Sequence, residues 1–201
     1  MTAIESLKRE EARAFRTLAR LALARGSHDE AEQLAQCALV LYDRLGSRRD
    51  AVNVTLDVVK ACSERGDHAI TERLLAEVEK DARSLGFDRI EGTFLLARSE
   101  ARLRKGGLGA DDLAAMVEEL DEAAGMAERS RGRELGWRIE GCRGAVFKLQ
   151  GKHAEAMAAY VRAMETIRGL HQELPPDLRG SYLEDPDRKR LREEFRALRG
   201  K

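Results

Sequence analysis

Glycine recurs along this chain at a fixed step. Gly26, Gly66, Gly106 and Gly151 are 40, 40 and 45 residues apart, and a second set, Gly46 and Gly86, is 40 apart inside matching Arg44-Leu45-Gly46 and Ser84-Leu85-Gly86 endings. A step of this size is the mark of a supersecondary unit that cannot bury its own apolar face and stacks on copies of itself. The stretches between glycines are rich in Ala, Leu, Glu and Arg, and the 201 residues include only 3 Pro. That is the chemistry of helix interiors. Each unit therefore reads as two helices hinged at a glycine turn.

In the first unit, helices are predicted over 4–25 and 29–45. Phe15, Leu18 and Ala22 form one apolar stripe at helical spacing, and Ala31, Leu34, Ala35, Ala38, Tyr42 and Leu45 form the facing one. Ser27, with Glu30 three residues on, has the pattern of a capping box. In the second unit Ala51, Val54, Val58 and Cys62 continue the pattern, Asp67 is placed to cap a helix carrying Leu74, Val78 and Leu85, and Thr71 stands where Ala31 and Ala156 stand in units one and four. The third unit is irregular. Phe94, Ala97 and Ala101 mark its first helix, but the turn has grown to KGGLGADD before Leu113, Met116, Leu120, Ala124 and Ala127. The residues that raise the last spacing to 45 belong after that turn or at the next connection.

The fourth unit carries the clearest pattern. From Trp137 to Ile167, Gly144, Phe147, Gly151, Ala156, Tyr160 and Ala163 alternate small and large residues where two helices must approach closely, in GAVFKLQGKHAEAMAAYVRAM. This stretch resembles a tetratricopeptide (TPR) repeat, although the commonest TPR unit has 34 residues. The resemblance implies an all-α, right-handed α-solenoid of about four TPR-like helix pairs. The expected bounds are 4–46, 47–86, 87–131 and 132–174 within 1–174, with 175–201 forming a proline break and a C-terminal capping helix. Glu140 and Arg143 occupy positions where the family places large apolar residues, and Ile139, Cys142, Val146 and Leu149 are placed to compensate. Pro175-Pro176 ends the repeat. Asp185-Pro186 then starts a helix with the stripe Leu191, Phe195 and Leu198, a lid for the last unit. The segment LPPDLRGSYLEDPDRKRLREEF also resembles the endings of TPR arrays at the C-termini of large bacterial regulators of the kinase or ATPase-activator type, which implies a regulatory arm.

The remaining chemistry is read against that repeat. Basic and acidic residues balance at 36 each, so no global charge draws the chain to nucleic acid or an anionic membrane. No apolar run is long enough to span a membrane, and the charged N-terminus MTAIESLKREEARAF is no signal sequence, so the reading is of a soluble cytoplasmic chain. Cys37, Cys62 and Cys142 are odd in number and widely separated, the pattern of small core residues. His28, His68 and His153 each sit two residues after a turn glycine, which separates them by the repeat pitch rather than converging them on a metal, and His171 has no ligand set beside it. GGLGA lacks the frame of a phosphate loop. Asp111-Asp112 and Glu118-Glu119 diverge around a helix. Arg188, Lys189, Arg190 and Arg192 are interrupted by acids, with Phe195 the one aromatic nearby. Neither catalysis nor a cofactor or metal is expected.

In TPR proteins the first helix of each pair lines a concave groove that takes a partner segment. The resemblance places Arg13, Arg16, Arg20 and Leu23, then Asn53, Leu56, Asp57 and Lys60, then Arg138, Cys142, Ala145, Lys148 and Leu149 on that face. Arg16, Arg20, Asn53 and Lys60 would make a donor-rich patch for the carboxylates of an acidic peptide. The expected function is a non-catalytic scaffold or adaptor of a bacterial regulatory or assembly system. A second reading is a ligand- or peptide-responsive sensor controlling an enzyme, and a third is a homodimer formed through the terminal helix.

Overall fold

A computed structural model of the chain describes residues 3–200; Met1, Thr2 and Lys201 lie outside the described residues. Among the described residues the protein is all-α, with ten helices and no strand. They are α1 (Ala3–Ala24), α2 (His28–Arg44), α3 (Arg48–Arg65), α4 (His68–Ser84), α5 (Asp88–Lys105), α6 (Ala110–Arg129), α7 (Arg133–Leu149), α8 (His153–Glu173), α9 (Pro176–Leu183) and α10 (Pro186–Arg199).

The turns explain the glycine step. Gly26, Gly46, Gly66, Gly86, Gly106 and Gly151 all have φ between 62° and 87°, the left-handed region that L side chains disfavour. At four of these turns the next residue donates its N–H to the carbonyl five back, as in Ser27 to Ala22, Ser47 to Tyr42, Asp67 to Cys62 and Lys152 to Phe147, each at 2.9 Å. This is the Schellman closure of a helix. A seventh turn was hidden from sequence reading because Arg131, φ 51°, takes the left-handed position, and Gly132 makes the equivalent bond to Ala127. The extra residues lie before that turn. They form the four-residue link 106–109 and lengthen α6 to 20 residues, against 17 in α2 and α4.

The chain divides into two compact units, Met1–Lys105 and Gly106–Lys201, and the division falls inside the third expected repeat. In the N-terminal unit each helix packs on the next, and α5 also packs on α3. Its core joins Ala12, Ala19, Ala35, Ala38, Tyr42, Val54, Val58 and Cys62. Thr71, in the register of Ala31 and Ala156, is as buried as they are, and its hydroxyl donates to the Asp67 carbonyl at 2.9 Å. In the C-terminal unit α6 packs on α7, α7 on α8, and α8 on α9 and α10. The core there joins Trp137, Ala156, Tyr160, Ala163 and Ile167 to Leu191 and Leu198 of α10, with Phe195 partly buried against it.

Several expectations are corrected. Leu18 is exposed, because the packed stripe of α1 is Ala12, Ala19 and Ala22. Cys37 is exposed while Cys62 and Cys142 are buried, and Leu149 is exposed rather than supporting Ile139 and Val146. Leu56 and Cys142, placed on the groove face, are also buried, since α3 and α7 are enclosed by neighbours over most of their circumference. The proline break opens a further helix, α9, with Pro176 in its first turn.

Ser27 and Asp67 precede their helices without any side-chain cap bond, whereas the Asp185 carboxylate accepts from the N–H groups of Asp187 (3.1 Å) and Arg188 (3.2 Å). Asp185→Ala is accordingly expected to cost about 1 kcal/mol, and Ser27→Ala close to none. Urea denaturation of both variants checks this, and equal losses would contradict the assignment.

Candidate functional site

The residues expected on a groove face in the N-terminal unit lie on α1 and α3, which contact each other, and much of their charge is already matched. Arg16 Nε donates to Asp57 Oδ2 at 2.8 Å, and Arg9 lies 3.6 Å from Asp50. Glu64 takes Lys60 at 3.8 Å and Arg104 of α5 at 3.5 Å. Apart from Lys60–Glu64, which lies within α3, these pairs cross from one first helix to the next at separations of 40 to 41 residues, the sequence period turned into contacts. The Asn53 amide donates to the Arg49 carbonyl of its own helix. Arg13 is exposed beside Glu10 at 2.6 Å, and Arg20 is exposed with no ion pair among the described residues. Three arginines, Arg13, Arg16 and Arg20, and no acid occupy α1 after Ala12, so this end of the face keeps a positive excess.

A second repeated contact joins the end of α3 to α2, and the end of α5 to α4. Arg65 at the end of α3 reaches Asp29 (2.6 Å), Glu32 (2.9 Å) and Asp67, and the hydrogen bonds to Asp67 and Glu32 hold its guanidinium firmly protonated. One period later, Lys105 pairs with Glu72. Between α4 and α5 lies a cleft of about 320 Å³ with Leu75, Ala76, Phe94 and Ala101 in its lining. Arg98 stacks 5.0 Å from the Phe94 ring and reaches Glu79 at 3.0 Å. The sequence offered no signal for this cleft, because helical periodicity records which residues are apolar and not whether a partner fills the space beside them.

In the C-terminal unit the corresponding face is covered by the chain's own tail. Lys148 Nζ lies 2.6 Å from Glu194 of α10, and half-buried Arg138 is on the same helix. Glu134 anchors the tail: it accepts from Trp137 Nε1 (2.7 Å), Tyr182 Oη (3.0 Å) and Arg188 (2.8 Å). Arg188 also donates to the Tyr182 carbonyl and lies 3.6 Å from the Tyr182 ring and 5.4 Å from that of Trp137. Burial pushes the Glu134 carboxyl upward, but the Trp137 hydrogen bond, the Arg188 charge and the Tyr182 hydroxyl outweigh it and hold it below the usual range. Burial, then the bond to Glu134, pushes the Tyr182 phenol up to about 12.

Glu140 and Arg143 are accounted for together. Arg143 pairs with Glu140 (2.7 Å) and Asp121, and Glu140 also takes Arg162 (2.8 Å), so one network ties α6, α7 and α8. The basic run of the tail is likewise engaged: Arg188 with Glu134, Lys189 with Glu184, Arg190 with Asp187, and Arg192 with the Leu183 carbonyl. His28, His68 and His153 are the first residues of α2, α4 and α8, and His171 lies against Tyr182. Gly106 and Gly107 both take left-handed φ, and the Asp112 carboxylate accepts from the Gly109 N–H. Among the described residues no group of three metal-ligating side chains comes together and no helix is long and apolar enough to cross a membrane. No protein-family model and no curated protein matches this chain.

Proposed function

We propose that this chain is a non-catalytic interaction module built of TPR-like helix pairs, holding a segment of a partner protein on the face formed by α1 and α3. The observation that carries the reading is the order of that face. Its side chains come from two first helices in a register of about one period, its apolar residues are consumed in packing, and what is left outward is a polar strip ending in unmatched Arg20. Such a strip recognises hydrogen-bonding and charged groups rather than an apolar ligand, and the excess of arginine on α1 selects acidic partners. The resemblance of the tail to those of large regulators makes a bacterial regulatory or assembly system the setting.

The test is capture of partners from a cytoplasmic lysate by the wild-type chain and by Arg20→Glu/Lys60→Glu, after circular dichroism shows equal helicity. A partner held by wild type is expected to fall by about tenfold or more with the charge reversal. Equal capture by both chains removes the groove from consideration. One observation favours the sensor reading as an alternative: the cleft between α4 and α5, at about 320 Å³, lies at the small end of the range for ligand pockets. The capture experiment separates the two, because a sensor acting through the cleft is indifferent to Arg20 and Lys60.

A further inference from the structure

The cleft between α4 and α5 lies wholly within the N-terminal unit, and the preceding period shows what fills such a place. One 40-residue step earlier, between α2 and α3, Val58 and Cys62 are buried core, with Leu39 packed against it. Ile70 and Leu74 of α4 pack against the same core. The matching residues of the cleft are Glu79, Arg98 and Arg102. Three apolar side chains that fill space have become three that carry charge, while Leu75, Phe94 and Ala101 keep an apolar, buried floor. Covering these charges with the apolar face of a further helix would strip their hydration, so the place is not built to be filled as its counterpart is. What remains is a slot. Its walls run from His68 to Glu79 on α4 and from Phe94 to Lys105 on α5, about 17 Å at 1.5 Å per residue.

The charges on the walls select the occupant. Arg98 reaches Glu79 at 3.0 Å and Lys105 pairs with Glu72, so two ion pairs join the walls. Glu79 also takes Arg83 at 3.1 Å. Both carboxylates of the lining are thus engaged, against three cations, Arg98, Arg102 and Lys105. The positive excess lies toward Arg102 and Lys105, because Arg98 is held by Glu79 and by the Phe94 ring at 5.0 Å. Lys105 and Glu72 are each more than half exposed, and an ion pair in that setting yields readily to a competing anion. We propose that the cleft binds a small amphiphilic carboxylate, its elongated apolar body on Leu75, Phe94 and Ala101 and its anionic head on Arg102 and Lys105. Guanidinium and ammonium donors hold such a head by charge-assisted hydrogen bonds. The site shares no residue with the α1–α3 face and does not rest on partner binding there. It supplies the ligand class that the sensor alternative requires.

Isothermal titration calorimetry of the full chain with decanoate, and with decylamine as the charge-reversed probe, tests the proposal. Decanoate is expected to bind at one site per chain and at least about tenfold more tightly than decylamine. Arg102→Glu/Lys105→Glu should reverse that preference. Ala76→Trp, which sets an indole into the slot from an exposed position on α4, should abolish binding of both probes. Circular dichroism should show wild-type helicity in each variant. Arg20→Glu/Lys60→Glu should leave decanoate binding unchanged, which separates failure of this site from failure of the α1–α3 reading. No decanoate binding, equal affinity for the two probes, a preference that Arg102→Glu/Lys105→Glu does not reverse, or binding indifferent to Ala76→Trp overturns the proposal. So does a synthetic peptide of the α4 sequence that binds more tightly than decanoate and is lost with Ala76→Trp, since the occupant is then a helix.

Discussion

Gly144→Ala is expected to be among the most damaging single-methyl changes in the C-terminal unit. A Cβ at position 144 would lie 2.4 Å from Cε1, 2.6 Å from Cδ1 and 2.9 Å from Cζ of Tyr160. Real Cβ atoms do not come that close to a ring, so something must move. Tyr160 has little room to yield: it is 1% exposed and sits in the core among Ala156, Ala163 and the partly buried Phe147. Forcing a methyl into such packing costs about 3 kcal/mol. For a unit of this size the loss corresponds to a fall in melting temperature of roughly 10–20 °C. The turn glycines make the contrast. Nothing lies within 4 Å of a Cβ on Gly26 or Gly66, so alanine there meets only the left-handed backbone penalty of about 1–2 kcal/mol. Thermal denaturation of Gly144→Ala alone and with Tyr160→Leu is the check. The second change should restore part of the loss, and a neutral Gly144→Ala would show that α7 and α8 do not meet at this glycine.

The second large effect is expected from Arg188→Ala, which should loosen α9 and α10 from the C-terminal unit at a cost of about 2–3 kcal/mol. Arg188 is well buried, and its removal takes a cation from two aromatic rings and from Glu134 together. Limited proteolysis within 175–201 and a drop in helicity would report the release, and a protease pattern identical to wild type would refute the latch. The same contact has a pH signature. Because the folded-state pKa of Glu134 is depressed, its contribution to stability is present above the ordinary glutamate value of 4.5 and is lost as pH falls through the lower folded value. Acid should therefore release the tail below about pH 4.5. In Glu134→Gln that acid step should be absent, with the tail already weakened at neutral pH.

How far the sequence could be read depended on what kind of constraint each residue answers to. Turn glycines were legible because a left-handed φ is a local demand that glycine meets at once, and Gly26, Gly46, Gly66, Gly86, Gly106 and Gly151 announced six hinges. Arg131 answers the same demand with the wrong residue type, so that hinge was silent. The Asp185-Pro186 start was legible for the same local reason, whereas Ser27 and Asp67 have the right chemistry for caps and do not use it.

Among the groove residues, periodicity placed Arg16 and Asp57 on one face but could not say that they bind each other, since a pair 41 residues apart exists only once α1 and α3 are side by side. Lys148 was placed outward on α7, and tertiary structure closes it with Glu194 from the tail. The exposure of Leu18 was misjudged because α1 has two apolar stripes, and the helix pattern alone does not tell which of them the fold buries. The sequence by itself determined the all-helical class, the helix–turn step and most helix ends, since each follows from backbone preferences acting within a few residues. Only the tertiary structure decided which charges are matched, which apolar stripe stays open and where the α4–α5 cleft lies, because those depend on distances between segments that the chain order does not encode.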